Sequence, residues 1–191
     1  MSLKSIVKVS HLSNLSDTRY CAGMGVELIG FGAIPGTEFY LEPGIFQDIR
    51  GWISGPRIVA ELYGISSTRQ IQSAIETYAP DYFELTFDEF KTFRNDLALP
   101  CIVYFPLTEE VKSAPATEGI SHVIVDEQTS CSHIASVSLP ILINVKSLEK
   151  LEQKLSEGCF QGFVLEGPRE LRPGITNYDQ LGAILEALEE E

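Results

Sequence analysis

Four acidic residues, Glu61, Glu84, Asp126 and Glu166, stand at or near the ends of short apolar runs spread along the chain. Carboxylates gathered at one mouth raise one another's pKa toward the range in which a general acid or base works near neutrality. The same crowding repels anions, so a ligand with several negative charges fits such a mouth poorly. Lys8 and Ser10 are two residues apart and so share one face of an extended segment. Lys8 can neutralise an acid inside a core, which makes Glu84 either its packing partner or a base of raised pKa. Ser10 needs a neighbouring group to take its proton before its hydroxyl can act. His11 is adjacent, but consecutive strand residues face opposite ways, which predicts no Ser10–His11 relay.

The runs that carry these residues are β-branched and often apolar throughout, as expected of parallel strands covered on both faces. They predict strands at Ser5–Ser10, Glu27–Phe31, Arg57–Leu62, Tyr82–Thr86, Cys101–Phe105, His122–Asp126, Pro140–Asn144 and Gly162–Glu166. Helical spacing separates them. Arg69–Tyr78 places Ile71, Ala74, Ile75 and Tyr78 on one face, Leu148–Glu157 carries a Leu148, Leu151, Leu155 stripe, and Tyr178–Glu189 turns Leu181, Ile184, Leu185 and Leu188 inward. Weaker helices are expected at Pro43–Ile53, with Phe46, Ile49 and Trp52 as its buried stripe, at Asp88–Leu97, and at Thr108–Glu118. Thr129–Val137 is rich in Ser and β-branched residues and predicts a stunted helix or a loop. Eight strands alternating with helices point to α/β class and a minimal (β/α)8 barrel, one domain over residues 1–191, with its working groups at the strand C-termini.

A net charge of −13, from 14 basic and 27 acidic residues, argues against nucleic acid and anionic membrane surfaces as partners. Without a long apolar span or a leader pattern, a cytoplasmic chain is expected. Its four cysteines are widely spaced and are expected to be reduced thiols. Cys131-Ser-His133 offers two metal ligands with no third nearby in sequence, so no metal is expected.

Val7-Lys-Val-Ser-His-Leu-Ser-Asn-Leu-Ser-Asp17, followed by Ala22-Gly-Met-Gly-Val-Glu-Leu-Ile-Gly-Phe31, resembles the opening of phosphoribosylanthranilate isomerase, whose first strand typically reads Lys-Ile-Cys-Gly. Ala79-Pro-Asp-Tyr-Phe-Glu-Leu-Thr86 is similar to that family's fourth strand, and Val123-Ile-Val-Asp126 to its sixth. The resemblance implies a cofactor-independent Amadori aldose-to-ketose shift on a small phosphorylated sugar-amine, in tryptophan biosynthesis, by a monomer or homodimer. It implies Asp126 as the acid, Ser10 at the position of the family's basic cysteine, His11 at that of its glycine, and Lys8 as its lysine. The family's glycine-rich phosphate turns after strands seven and eight correspond to Asn144-Val-Lys146 and Glu166-Gly167-Pro-Arg169, where Lys146 and Arg169 supply the positive charge. Ser10 or Glu84 would then be the base. The other reading is a non-catalytic barrel that keeps the scaffold to bind a small ligand or a partner chain.

Overall fold

The structure, a computed structural model, describes residues 2–105, 118–168, 170–172 and 175–190. Eight parallel strands close into a barrel in chain order: β1 (Ile6–Ser10), β2 (Leu28–Gly32), β3 (Arg57–Glu61), β4 (Tyr82–Thr86), β5 (Cys101–Phe105), β6 (Ile120–Val125), β7 (Ile141–Asn144) and β8 (Gly162–Glu166). The closing seam pairs β1 with β8 from Ile6 opposite Gly162 to Ser10 opposite Glu166. Gly162 permits this closure, because a Cβ there would lie 2.3 Å from the Ile6 carbonyl oxygen. The architecture is a minimal (β/α)8 barrel, as the alternation of elements predicts.

Around it lie α1 (Leu15–Gly23), α2 (Pro43–Arg50), α3 (Thr68–Tyr78), α4 (Phe87–Phe93), α5 (Cys131–Ile134), α6 (Leu148–Glu157) and α7 (Asp179–Ala187). Local chemistry starts several of them. Asn14 Oδ1 accepts the Asp17 N–H at α1, and Thr86 and Glu89 form a reciprocal cap at α4. The short antiparallel pair β9 (Glu170–Arg172) and β10 (Ile175–Thr176) interrupts the path from β8 to α7, an addition that the sequence reading did not contain. The helix expected over Thr108–Glu118 falls, except for Glu118, outside the described residues.

Strand alternation divides the apolar residues into two cores. Alternate strand residues such as Val7, Val9 and Phe83 pack outward under the helices, while Leu28, Val59, Ile102, Ile124, Leu142 and Val164 form a separate cluster inside the barrel. Two helix stripes differ from expectation. α2 stops at Arg50, so Trp52 leaves its buried face and is 69% exposed, with the Arg19 guanidinium 5.9 Å from its ring centroid. On α6 the inward positions are Leu151 and Lys154, and Leu155 is exposed.

The cysteines also require correction. Cys131 and Cys159 form a disulfide, whereas Cys21 and Cys101 are buried free thiols. Sequence spacing could not reveal the pair, because the crossover after β6 brings residues 28 positions apart together.

Candidate active site at the C-terminal mouth

The inward-facing strand positions bring Lys8, Ser10, Glu61 and Glu84 together below the mouth. Lys8 is fully buried; its Nζ donates to Ser10 Oγ at 2.5 Å and to Glu61 Oε1 at 2.7 Å. Glu84 Oε2 lies 2.8 Å from the same nitrogen, an ion pair by distance whose alignment falls short of a hydrogen bond. The Tyr63 hydroxyl donates to the other Glu84 oxygen at 2.7 Å. Gly30 makes room for the cluster, since a Cβ there would sit 2.1 Å from Glu61 Oε1 and 2.8 Å from Lys8 Nζ.

One ammonium faces two carboxylates in this interior. Burial alone would lower the Lys8 pKa, but the charges of Glu61 and Glu84 outweigh it and hold the pKa above its ordinary value. Lys8 is therefore a fixed cation and takes no proton from Ser10. Burial raises Glu84, Glu61 adds to that, and the opposing pull of Lys8 leaves it net raised. Glu61 and Glu84 are each 2% exposed, so the four acids do not rim one mouth: two belong to the interior and two to the surface. Ser10, at 4% exposure, is likewise shut inside.

The mouth holds Asp126 and Glu166. Both line a cleft of about 150 Å³ together with Glu127, Gln128, Asn144, Val145, Lys146 and Val164. Each of the two acids has a partner behind it. The Tyr104 hydroxyl donates to Asp126 Oδ1 at 2.7 Å, and burial with that contact pushes the phenol up to about 12, so it stays a donor. His11 Nδ1 is 3.0 Å from Glu166 Oε2, and its Nε2 is 3.5 Å from Glu61 Oε2. Burial alone would lower the His11 pKa, but the Glu166 hydrogen bond and the Glu61 and Glu166 charges reverse that to a net rise. An unbroken line of ionisable side chains in contact, Glu84–Lys8–Glu61–His11–Glu166, thus runs from core to mouth.

Sequence reasoning missed the role of His11. Strand alternation stops at Ser10, and His11 adopts a left-handed backbone (φ 58°) that turns its ring toward the acids and stacks it on Phe39 at 3.7 Å. The only available signal was a histidine at a position where the resembled family has glycine. Phe39 is brought there by the loop after β2, whose backbone crosses Gly32 so closely that a Cβ would lie 2.2 Å from the Phe39 carbonyl oxygen.

After β7 and β8, the positions expected to grip phosphate have other partners. The Gly167 N–H donates to the Ser10 carbonyl at 2.8 Å, the Val145 N–H to the Val164 carbonyl at 3.0 Å, and the Lys146 N–H to the Glu127 carboxylate at 3.2 Å. Asn144 and Lys146 do reach the cleft, and Lys146 and Gly167 also line a neighbouring cavity of about 350 Å³ against α7. Arg169 lies outside the described residues. For metal, the structure brings Cys131, Glu157 and Cys159 together, but both sulfurs are bonded to each other, and His133 instead contacts Ser130. Among the described residues no helix is long and apolar enough to cross a membrane.

The fold and site together define a (β/α)8 barrel with ionisable groups at the strand C-termini. Its fold is that of phosphoribosylanthranilate isomerases. The enzyme from Thermus thermophilus superposes with a TM-score of 0.78 at 17% identity, covering 96% of this chain and 98% of that one. TrpF from Jonesia denitrificans gives 0.74 at 13%, covering 96% of each. A phosphoribosyl anthranilate isomerase in complex with reduced 1-(o-carboxyphenylamino)-1-deoxyribulose 5-phosphate gives 0.73 at 12%, covering 95% and 97%. No family profile and no curated protein sequence matches the chain. At these identities the likeness is one of fold.

Proposed function

We propose that this barrel is a cofactor-independent isomerase of the phosphoribosylanthranilate isomerase type, catalysing an aldose-to-ketose shift on a small phosphorylated sugar-amine. The observation that carries this reading is the pair of backed carboxylates, Tyr104–Asp126 and His11–Glu166, on one cleft at the mouth of a barrel with that fold. Asp126 is the acid that protonates the ring oxygen, the role its resemblance implies. Glu166 is the base that takes the adjacent C–H proton, in place of the family's cysteine. His11 is a positioning residue: its Nδ1, 3.0 Å from Glu166 Oε2, fixes the orientation of that carboxylate at the cleft. Lys146 is the cation lining the cleft on the phosphate side.

A second reading, a non-catalytic barrel that binds a small ligand, is favoured by a separate observation. The three engaged amides after β7 and β8 offer no open nest to a phosphate, and Ser10 and Glu84 are shut inside. Complementation of a tryptophan auxotroph lacking the isomerase separates the two. Under the first reading the chain restores growth, and Asp126→Asn and Glu166→Gln abolish it at equal soluble expression. Absence of growth with the unaltered, well-expressed chain removes the biosynthetic reading and leaves the second.

A further inference from the structure

Among the described residues the helical layer is thinnest at the crossover from β6 to β7. α5 spans only four residues, and beside it lies a cavity of about 340 Å³ lined in part by Ile134, Val137, Leu139 and Ile141. Three attachments hold the crossover against the barrel. Ile134 is buried, the Lys154 ammonium donates to the Thr129 carbonyl at 2.8 Å, and the Cys131–Cys159 disulfide joins α5 to the segment between α6 and β8. Only Glu127 to Ser130 separates the bonded Cys131 from Asp126, and Glu127 itself reaches the Lys146 amide. The disulfide thus stands in for a missing helix and tethers the loop that forms one side of the acidic mouth.

This is also the pair that cellular thiols can reach. Cys131 and Cys159 are partly exposed, whereas Cys21 and Cys101 are buried, and burial pushes both of their thiols up to about 12.

We propose that Cys131–Cys159 is a reducible staple whose state sets the order of the β6–β7 crossover and, through Glu127, the shape of the mouth. A dithiol reductant supplies the electrons. Its first thiolate attacks one sulfur and forms a mixed disulfide, and the other protein sulfur leaves as a thiolate that is then protonated. The second thiol of the reductant displaces the remaining protein sulfur. The reductant ends as a cyclic disulfide, two electrons poorer, and the protein gains two thiols.

The full chain, purified without reductant, is compared before and after dithiothreitol by native alkylation with N-ethylmaleimide, mass mapping and amide hydrogen exchange. In the untreated chain, Cys131 and Cys159 should resist alkylation. After reduction both should be labelled while Cys21 and Cys101 stay unlabelled. Exchange across residues 127–138 should then rise at least tenfold, with β3 unchanged. Cys131→Ser/Cys159→Ser should reproduce the reduced pattern without reductant, and if that variant fails to fold, the dithiothreitol arm decides. Unchanged exchange across 127–138 on reduction, or alkylation of both residues in the untreated chain, would overturn the proposal.

Discussion

Replacing Lys8 by Met isolates the cluster beneath the mouth. The substitution keeps an unbranched apolar stem but leaves Glu61 and Glu84, each 2% exposed, without the cation now 2.7 and 2.8 Å away. Removing one partner of a buried ion pair typically costs about 3–5 kcal/mol, a large share of a total stability of about 5–15 kcal/mol. The loss should also depend on pH. Glu84 already has a folded pKa above its reference value of 4.5. A carboxylate shifted that way contributes most to stability below its unfolded pKa, and the contribution is lost as pH rises through the folded value. Without Lys8 the downward pull on Glu84 disappears, so the deficit of Lys8→Met should be largest at pH 8 and shrink toward pH 5. Reversible urea unfolding at the two pH values measures it. Adding Glu61→Gln and Glu84→Gln should recover much of the loss, because no uncompensated charge then remains buried. A deficit below about 1 kcal/mol at pH 8 would refute the view that these groups form a tightly coupled interior triad. So would a deficit equal at both pH values.

Two further outcomes follow from the mouth and the surface. Glu166→Gln removes the charge and hydrogen bond that help raise His11, so the imidazole pKa followed by NMR should fall relative to the unaltered chain. Because a raised His pKa stabilises the fold at low pH and that contribution fades as pH rises through the folded value, the variant should be less stable than the parent below pH 6.5 and converge with it at higher pH. A variant whose His11 titrates as before would show that Glu166 does not hold the ring. Trp52→Ala should change stability by no more than about 0.5 kcal/mol in the same unfolding assay, since the indole is exposed and lies outside the α2 stripe.

The strands were legible because each is a β-branched run bounded by turn residues, and alternation within them correctly turns Lys8 toward the axis with an acid as its partner. The same alternation misled at His11, where the strand has ended and a left-handed residue reverses the side chain. Glu61 and Glu84 were read as rim residues because their strands end there. Depth is set by the register that places Glu61 beside Glu84 around Lys8, and that depends on pairing between strands. Trp52 was assigned to a helix that stops two residues earlier. The disulfide has no local signature at all, because it depends on how far the shortened crossover after β6 travels. The proposed function had in the sequence only the resemblance of the first unit and of Asp126 behind it; the partners that give Asp126 and Glu166 their setting, Tyr104 and His11, appear only when β5, β6, β8 and the end of β1 meet at one mouth.

Turnover by the purified chain tests the central claim most directly. Incubated with phosphoribosylanthranilate in D2O and followed by NMR, the chain should form the ketose product, with Glu166→Gln slowing conversion by about 10²–10⁴-fold, the range for loss of a general base, and Asp126→Asn doing likewise. Conversion no faster than in buffer alone, with the unaltered chain folded, would contradict the account.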